Sequence, residues 1–150
     1  MKDLQIGAKI GFGNNQTATI IKELGRGGQG IVYLAEFNGK SYALKWYTTK
    51  PSEEFYQNLK NNCENGSPSE NFIWPIAISE KYGRYFGYLM PLKPKGYYEL
   101  GDFFTAKVAF KSFLPMLQAG INICNSFRKL HLLGYSYHPG TPSRRYWKTP

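Results

Sequence analysis

The sequence predicts an α+β protein in which a five-stranded antiparallel sheet with one helix comes first and longer helices follow. Three observations carry this. Ile31 to Phe37 and Lys40 to Tyr47 are β-branched and aromatic runs joined by Asn38-Gly39, the strongest short hairpin signal. Phe72 to Ile78 and Tyr85 to Met90 make a second pair of strand-like runs, joined by the polar turn Ser79 to Arg84. From Phe110 to Leu133, apolar residues recur at spacings of three and four (Leu114, Leu117, Ile121, Cys124, Phe127, Leu130), which marks one buried stripe on a long helix.

In chain order, Leu4 to Ile10 is available as an extra strand, Gly11 to Gln16 is a turn, and Thr17 to Leu24 is the first strand of the main sheet. Gly25, Gly27, Gly28 and Gly30 follow. Their backbone carries no Cβ, is free to take positive φ, and can bring N–H groups close to an anion. With Asn38 and Gly39 as the hairpin loop, Phe37 faces Lys40, Leu34 faces Ala43 and Val32 faces Lys45. Side chains alternate along a strand, so Val32, Leu34, Ala43 and Lys45 share one face, and Tyr33, Tyr42 and Leu44 the other. The first face combines small apolar groups with a single ammonium, which suits a flat heterocycle bearing phosphates. Pro51-Ser52-Glu53-Glu54 starts a helix with acids in its first turn, and Gly66-Ser67-Pro68 stops it. Lys93-Pro94-Lys95-Gly96 reads as a linker.

Composition narrows the function classes. The 150 residues hold enough apolar material, 42 %, for a domain with its own core. Nineteen Lys and Arg against ten Asp and Glu give +9, but the basic residues are scattered, which argues for a solvated surface over a nucleic-acid footprint. Cys63 and Cys124 stand alone, with no zinc-type clustering and no disulfide framework. No signal-peptide core and no run of bilayer length is present, so a cytoplasmic chain without a membrane partner is expected. His131 reads as a packed side chain rather than a general base.

The segment Gly25-Arg26-Gly27-Gly28-Gln29-Gly30-Ile31-Val32, followed by Tyr42-Ala43-Leu44-Lys45, resembles the small lobe of a protein kinase, matching G-x-G-x-x-G-x-V and the strand lysine. The hairpin after the glycines excludes a dinucleotide-binding βαβ unit, where a helix would follow. The resemblance, to bacterial serine/threonine kinases, implies a small lobe over residues 1–92, the start of a large lobe over 93–138 and an atypical tail over 139–150. It implies ATP with Mg²⁺, held by Leu24, Gly25, Gly27, Gly28, Gln29, Gly30, Val32, Ala43 and Lys45. Met90 takes the gatekeeper place, and Leu92 offers a hinge N–H to adenine because Pro91 has none. The helix would lend Lys45 a glutamate, either Glu64 or Glu54.

Leu130-His131-Leu132-Leu133-Gly134-Tyr135-Ser136-Tyr137 resembles the lead-in to the catalytic loop, but the catalytic aspartate then falls on Pro139 and the metal-binding asparagine on Arg144. No Asp-Phe-Gly follows. Either the tail is a genuine divergence or it continues out of frame after a truncation. The expectation is an ATP-binding kinase-like chain that is inactive alone and is completed by a large lobe or a protein partner. The alternatives are a nucleotide-binding pseudokinase module and a basic scaffold that binds no nucleotide.

Overall fold

The structure, a computed structural model, describes residues 3–135 and 146–148. The sequence-level assignments at Tyr137, Pro139 and Arg144 lie outside the described residues. The chain divides into two compact units, Met1–Ser67 with Ile73–Leu92, and Pro68–Phe72 with Lys93–Pro150.

The first unit is a six-stranded antiparallel sheet and one helix. Its strands are β1 (Lys9–Gly11), β2 (Thr17–Gly27), β3 (Gly30–Phe37), β4 (Lys40–Tyr47), β5 (Ala77–Ile78) and β6 (Gly87–Met90), and the helix α1 (Glu53–Asn65) follows β4. The sheet order is β1-β2-β3-β4-β6-β5. The extra strand forms at Lys9–Gly11, pairing with Thr17–Thr19. The expected strand from Phe72 shrinks to Ala77–Ile78, opposite Leu89 and Tyr88, because backbone bonding to β6 starts only at Ile76, whose N–H donates to the Leu89 carbonyl at 2.9 Å.

The β3–β4 register is the one the Asn38-Gly39 turn dictates. Phe37 pairs with Lys40, Leu34 with Ala43 and Val32 with Lys45, and Asn38 and Gly39 adopt φ of 50° and 72°, as a two-residue hairpin loop requires. One face of the sheet is the core. Ile20, Ile31, Tyr33, Ala35, Leu44, Trp46 and Leu89 are buried there, joined by Leu4 and Ile10. The Leu4 N–H donates to the Tyr33 hydroxyl at 3.0 Å, which ties the N-terminal segment to that face.

Ser52 caps α1, its hydroxyl accepting from the Phe55 N–H at 3.1 Å, and Gly66 ends the helix at φ 73°. The helix packs on the sheet through a second, aromatic cluster of Tyr47, Leu59 and Phe86 with Phe55, Tyr56, Ile78 and Tyr88.

The second unit contains β7 (Tyr97–Glu99), α2 (Leu100–Phe104), α3 (Phe113–Leu132) and β8 (Tyr146–Lys148), with β7 and β8 antiparallel. Helix α3 begins three residues later than the periodicity suggests. Phe110 is taken instead by a stacked contact with Phe103, ring centroids 4.6 Å apart. On α3, Leu130 is buried and Phe127 meets Phe72 edge to face, whereas Leu114, Leu117 and Ile121 are 71 %, 46 % and 46 % exposed. With Cys124 also exposed, four of the six stripe residues are open to solvent. Open apolar faces drive association, so we expect the purified chain to bind a hydrophobic dye and to self-associate with rising concentration, and Leu114→Glu with Leu117→Glu to suppress both.

Candidate functional site

The sheet face opposite the core carries the residues singled out in the sequence. Opposed residues of a ladder share a face, and three rows of partners cross it. Gly25 pairs with Val32, Val32 with Lys45, and Lys45 with Tyr88. Next to that row, Leu34 pairs with Ala43 and Ala43 with Met90; on its other side, Gly27 pairs with Gly30 and Gly30 with Tyr47. Val32, Ala43, Lys45 and Met90 are thus brought to one surface by register alone. Leu24 sits at an irregularity between Glu23 and Gly25 and is 46 % exposed. Leu92 follows Pro91 just past β6.

The glycines have different jobs. A Cβ on Gly25, Gly27 or Gly28 would meet nothing within 4 Å, so the space beside the Gly28-Gln29 turn is open. None of the four lies in the left-handed region; positive φ, one reason for expecting glycine here, is not used. Gly30 is needed for packing, since a Cβ there would lie 2.1 Å from the Trp46 carbonyl oxygen. Gly30→Ala should therefore cost roughly 3 kcal/mol or more, because backbone must move, while Gly27→Ala stays within about 0.5 kcal/mol. Chemical denaturation of the two variants checks the contrast.

Around the turn, Arg26 is held on the exposed side by Asp3 and Glu23, each at 2.9 Å. Gln29 Oε1 is buried with no hydrogen-bond partner. Lys45 is partly buried, and burial holds its pKa below the usual lysine value. Among the described residues it makes no ion pair: Nζ lies 5.2 Å from the Tyr47 ring centroid, over its face. Glu64 is exposed in the last turn of α1 and Glu54 in the first, and neither pairs with Lys45 in this structure. Glu53 instead binds Lys81, Oε1 to Nζ at 2.8 Å.

Sequence reasoning overlooked Tyr47 and Tyr88. The signal was available: Tyr47 stands two residues after Lys45 and Tyr88 two before Met90, so both fall on the site face. Burial pushes Tyr88 up to about 12. It also raises Tyr47, helped by the neighbouring Tyr88, and pushes the Cys63 thiol of α1 up to about 11, with Glu64 adding to the shift.

These features suit the phosphates and base of a nucleotide. Open space beside the glycine turn and, among the described residues, a cation short of an anion are what such a ligand would complete. Among the described residues no group of three His, Cys, Asp or Glu side chains converges.

No family model and no curated relative matches the sequence. Solved structures do. Vaccinia related kinase 3 superposes with a TM-score of 0.62 at 17 % identity, over 88 % of this chain and 44 % of that one. A variant of the Mycobacterium tuberculosis PknI kinase domain gives 0.68 at 15 % identity, over 88 % of this chain and 53 % of that one. A doubly substituted form gives 0.67 at 15 %, over 96 % and 61 %. The chain has a protein kinase-like fold. It spans about half the length of the kinase chains it matches. In this kinase-like fold the sheet and α1 stand as the small-lobe elements, and among the described residues no helix is long and apolar enough to cross a membrane.

Proposed function

We propose that this chain is the nucleotide-holding part of a serine/threonine protein kinase-like module, binding ATP on the sheet face that carries Lys45. The observation that carries the reading is the row Gly25–Val32–Lys45: it sets Cβ-free backbone and open space beside an apolar strand residue and an ammonium that, among the described residues, has no carboxylate of its own. The adenine ring rests between Leu24, Val32 and Ala43, beside Met90, and takes a hydrogen bond from the Leu92 N–H. The phosphates lie under Gly25, Gly27, Gly28 and Gln29, and Lys45 meets them as a point charge. Magnesium enters only as the counter-ion of the ATP supplied. Thermal unfolding with and without ATP tests the reading: a concentration-dependent rise in melting temperature is expected, and no rise up to millimolar ATP would favour the basic scaffold.

A specific observation favours binding without chemistry for these 150 residues. The last carboxylate in the sequence is Asp102, so no acid follows the helix that resembles the approach to the catalytic loop. Transfer of the γ-phosphate to a protein hydroxyl would need a large lobe or a protein partner to supply the missing groups.

A further inference from the structure

The strand lysine and the helix beside it are joined by aromatic rings where the kinase resemblance implies an ion pair. Tyr47 and Lys45 lie on one face of β4, and Tyr88 lies across the ladder from Lys45 on β6. The Tyr47 and Tyr88 rings lie against each other, centroids 6.2 Å apart and tilted by 38°. The Tyr47 ring is clamped by Phe55 of α1, 5.4 Å away and edge-on, and by Phe86, also at 5.4 Å. Tyr56 adds to the contact by meeting Phe86 edge-on at 4.8 Å and donating to the Ser79 carbonyl at 3.3 Å. A ring fixed on three sides is pre-organised, and its face is where the ammonium sits.

We propose that Tyr47, its ring held by Phe55, Phe86 and Tyr88, is the positioning residue for the Lys45 ammonium, in the place a helix carboxylate would otherwise fill. The titratable groups of the elements around Lys45 are Lys40, Tyr42 and Tyr47 on β4, Tyr33 and Glu36 on β3, Tyr88 on β6, and Glu53, Glu54, Tyr56, Lys60, Cys63 and Glu64 on α1. Burial lowers the Lys45 pKa, and a ring face that favours the cation works against that lowering. The proposal deepens the nucleotide-binding reading, and the first of its two readouts needs no nucleotide.

That readout is the titration of Lys45 by side-chain NMR, its signal assigned by loss in Lys45→Met, in the wild type and in Tyr47→Phe, Tyr47→Leu, Glu54→Gln and Glu64→Gln. Phenylalanine keeps the ring and should keep the midpoint, leucine should lower it, and both glutamine variants should match the wild type. The second readout is ATP affinity, which should fall about threefold to tenfold in Tyr47→Leu, recover in Tyr47→Phe, and stay within about twofold in the glutamine variants. A lowered midpoint in either glutamine variant, or an unchanged one in folded Tyr47→Leu, overturns the proposal. Should Tyr47→Leu not fold, the two exposed glutamate positions decide it alone. A wild type that binds no ATP would overturn the nucleotide-binding reading, with the Lys45 titration still deciding the role of Tyr47.

Discussion

Incubated with labelled ATP, magnesium and a generic protein substrate, the purified chain should transfer no phosphate even while it binds nucleotide. Phosphoryl transfer depends on positioning and charge neutralisation, with a metal bridging the phosphates and an aspartate orienting the attacking hydroxyl. After Asp102 the sequence offers no carboxylate for either task. Glu54 and Glu64 do not substitute, because both stand exposed on α1. General-base assistance is typically worth about 10²- to 10⁴-fold, and missing metal ligands cost several kcal/mol more, on the order of another 10²-fold. Running Lys45→Met alongside gives the decisive comparison. Phosphorylation that depends on Lys45 would show that these residues do complete a reacting site.

The second large effect is expected at Lys45 itself. Lys45→Met should abolish the ATP-induced rise in melting temperature, since it removes the phosphate contact, while Lys40→Met on the exposed end of β4 should leave that rise intact. Equal effects from the two would remove the case for the site face. The same substitution should raise the stability of the nucleotide-free protein, and the gain should depend on pH. The folded-state pKa of Lys45 lies below its unfolded value of 10.5, so between the two the unfolded chain binds more protons and stability rises with pH. The penalty of the buried charge is therefore full below the folded pKa and fades as pH climbs toward 10.5. Lys45→Met should accordingly stabilise most near neutrality and least in alkaline buffer, as denaturation at several pH values would show. ATP binding should run the opposite way, weakening as Lys45 loses its proton.

Much of this protein is determined by the sequence alone, wherever the physics is local. Asn38-Gly39 admits essentially one tight turn, and a two-residue turn sets the register of every pair from Phe37–Lys40 to Val32–Lys45. Ser52 and Gly66 bound α1 because capping and a left-handed stop are single-residue properties. The alternation of β3 and β4 likewise decides which side chains face the core.

Only the tertiary structure decided what those side chains meet. The glycines looked alike in the sequence, yet Gly30 answers to the carbonyl of Trp46 on the next strand and Gly25, Gly27 and Gly28 to open space, a distinction that depends on how closely two backbones approach. Phe72 to Pro75 reads as strand, but a strand needs a partner, and backbone bonding to β6 starts only at Ile76. The partner of Lys45 was equally out of reach, since helical spacing cannot say how α1 lies on the sheet. The Phe55, Tyr56 and Phe86 contacts set that placement, and they put the Tyr47 ring beside the ammonium and leave the helix carboxylates in solvent.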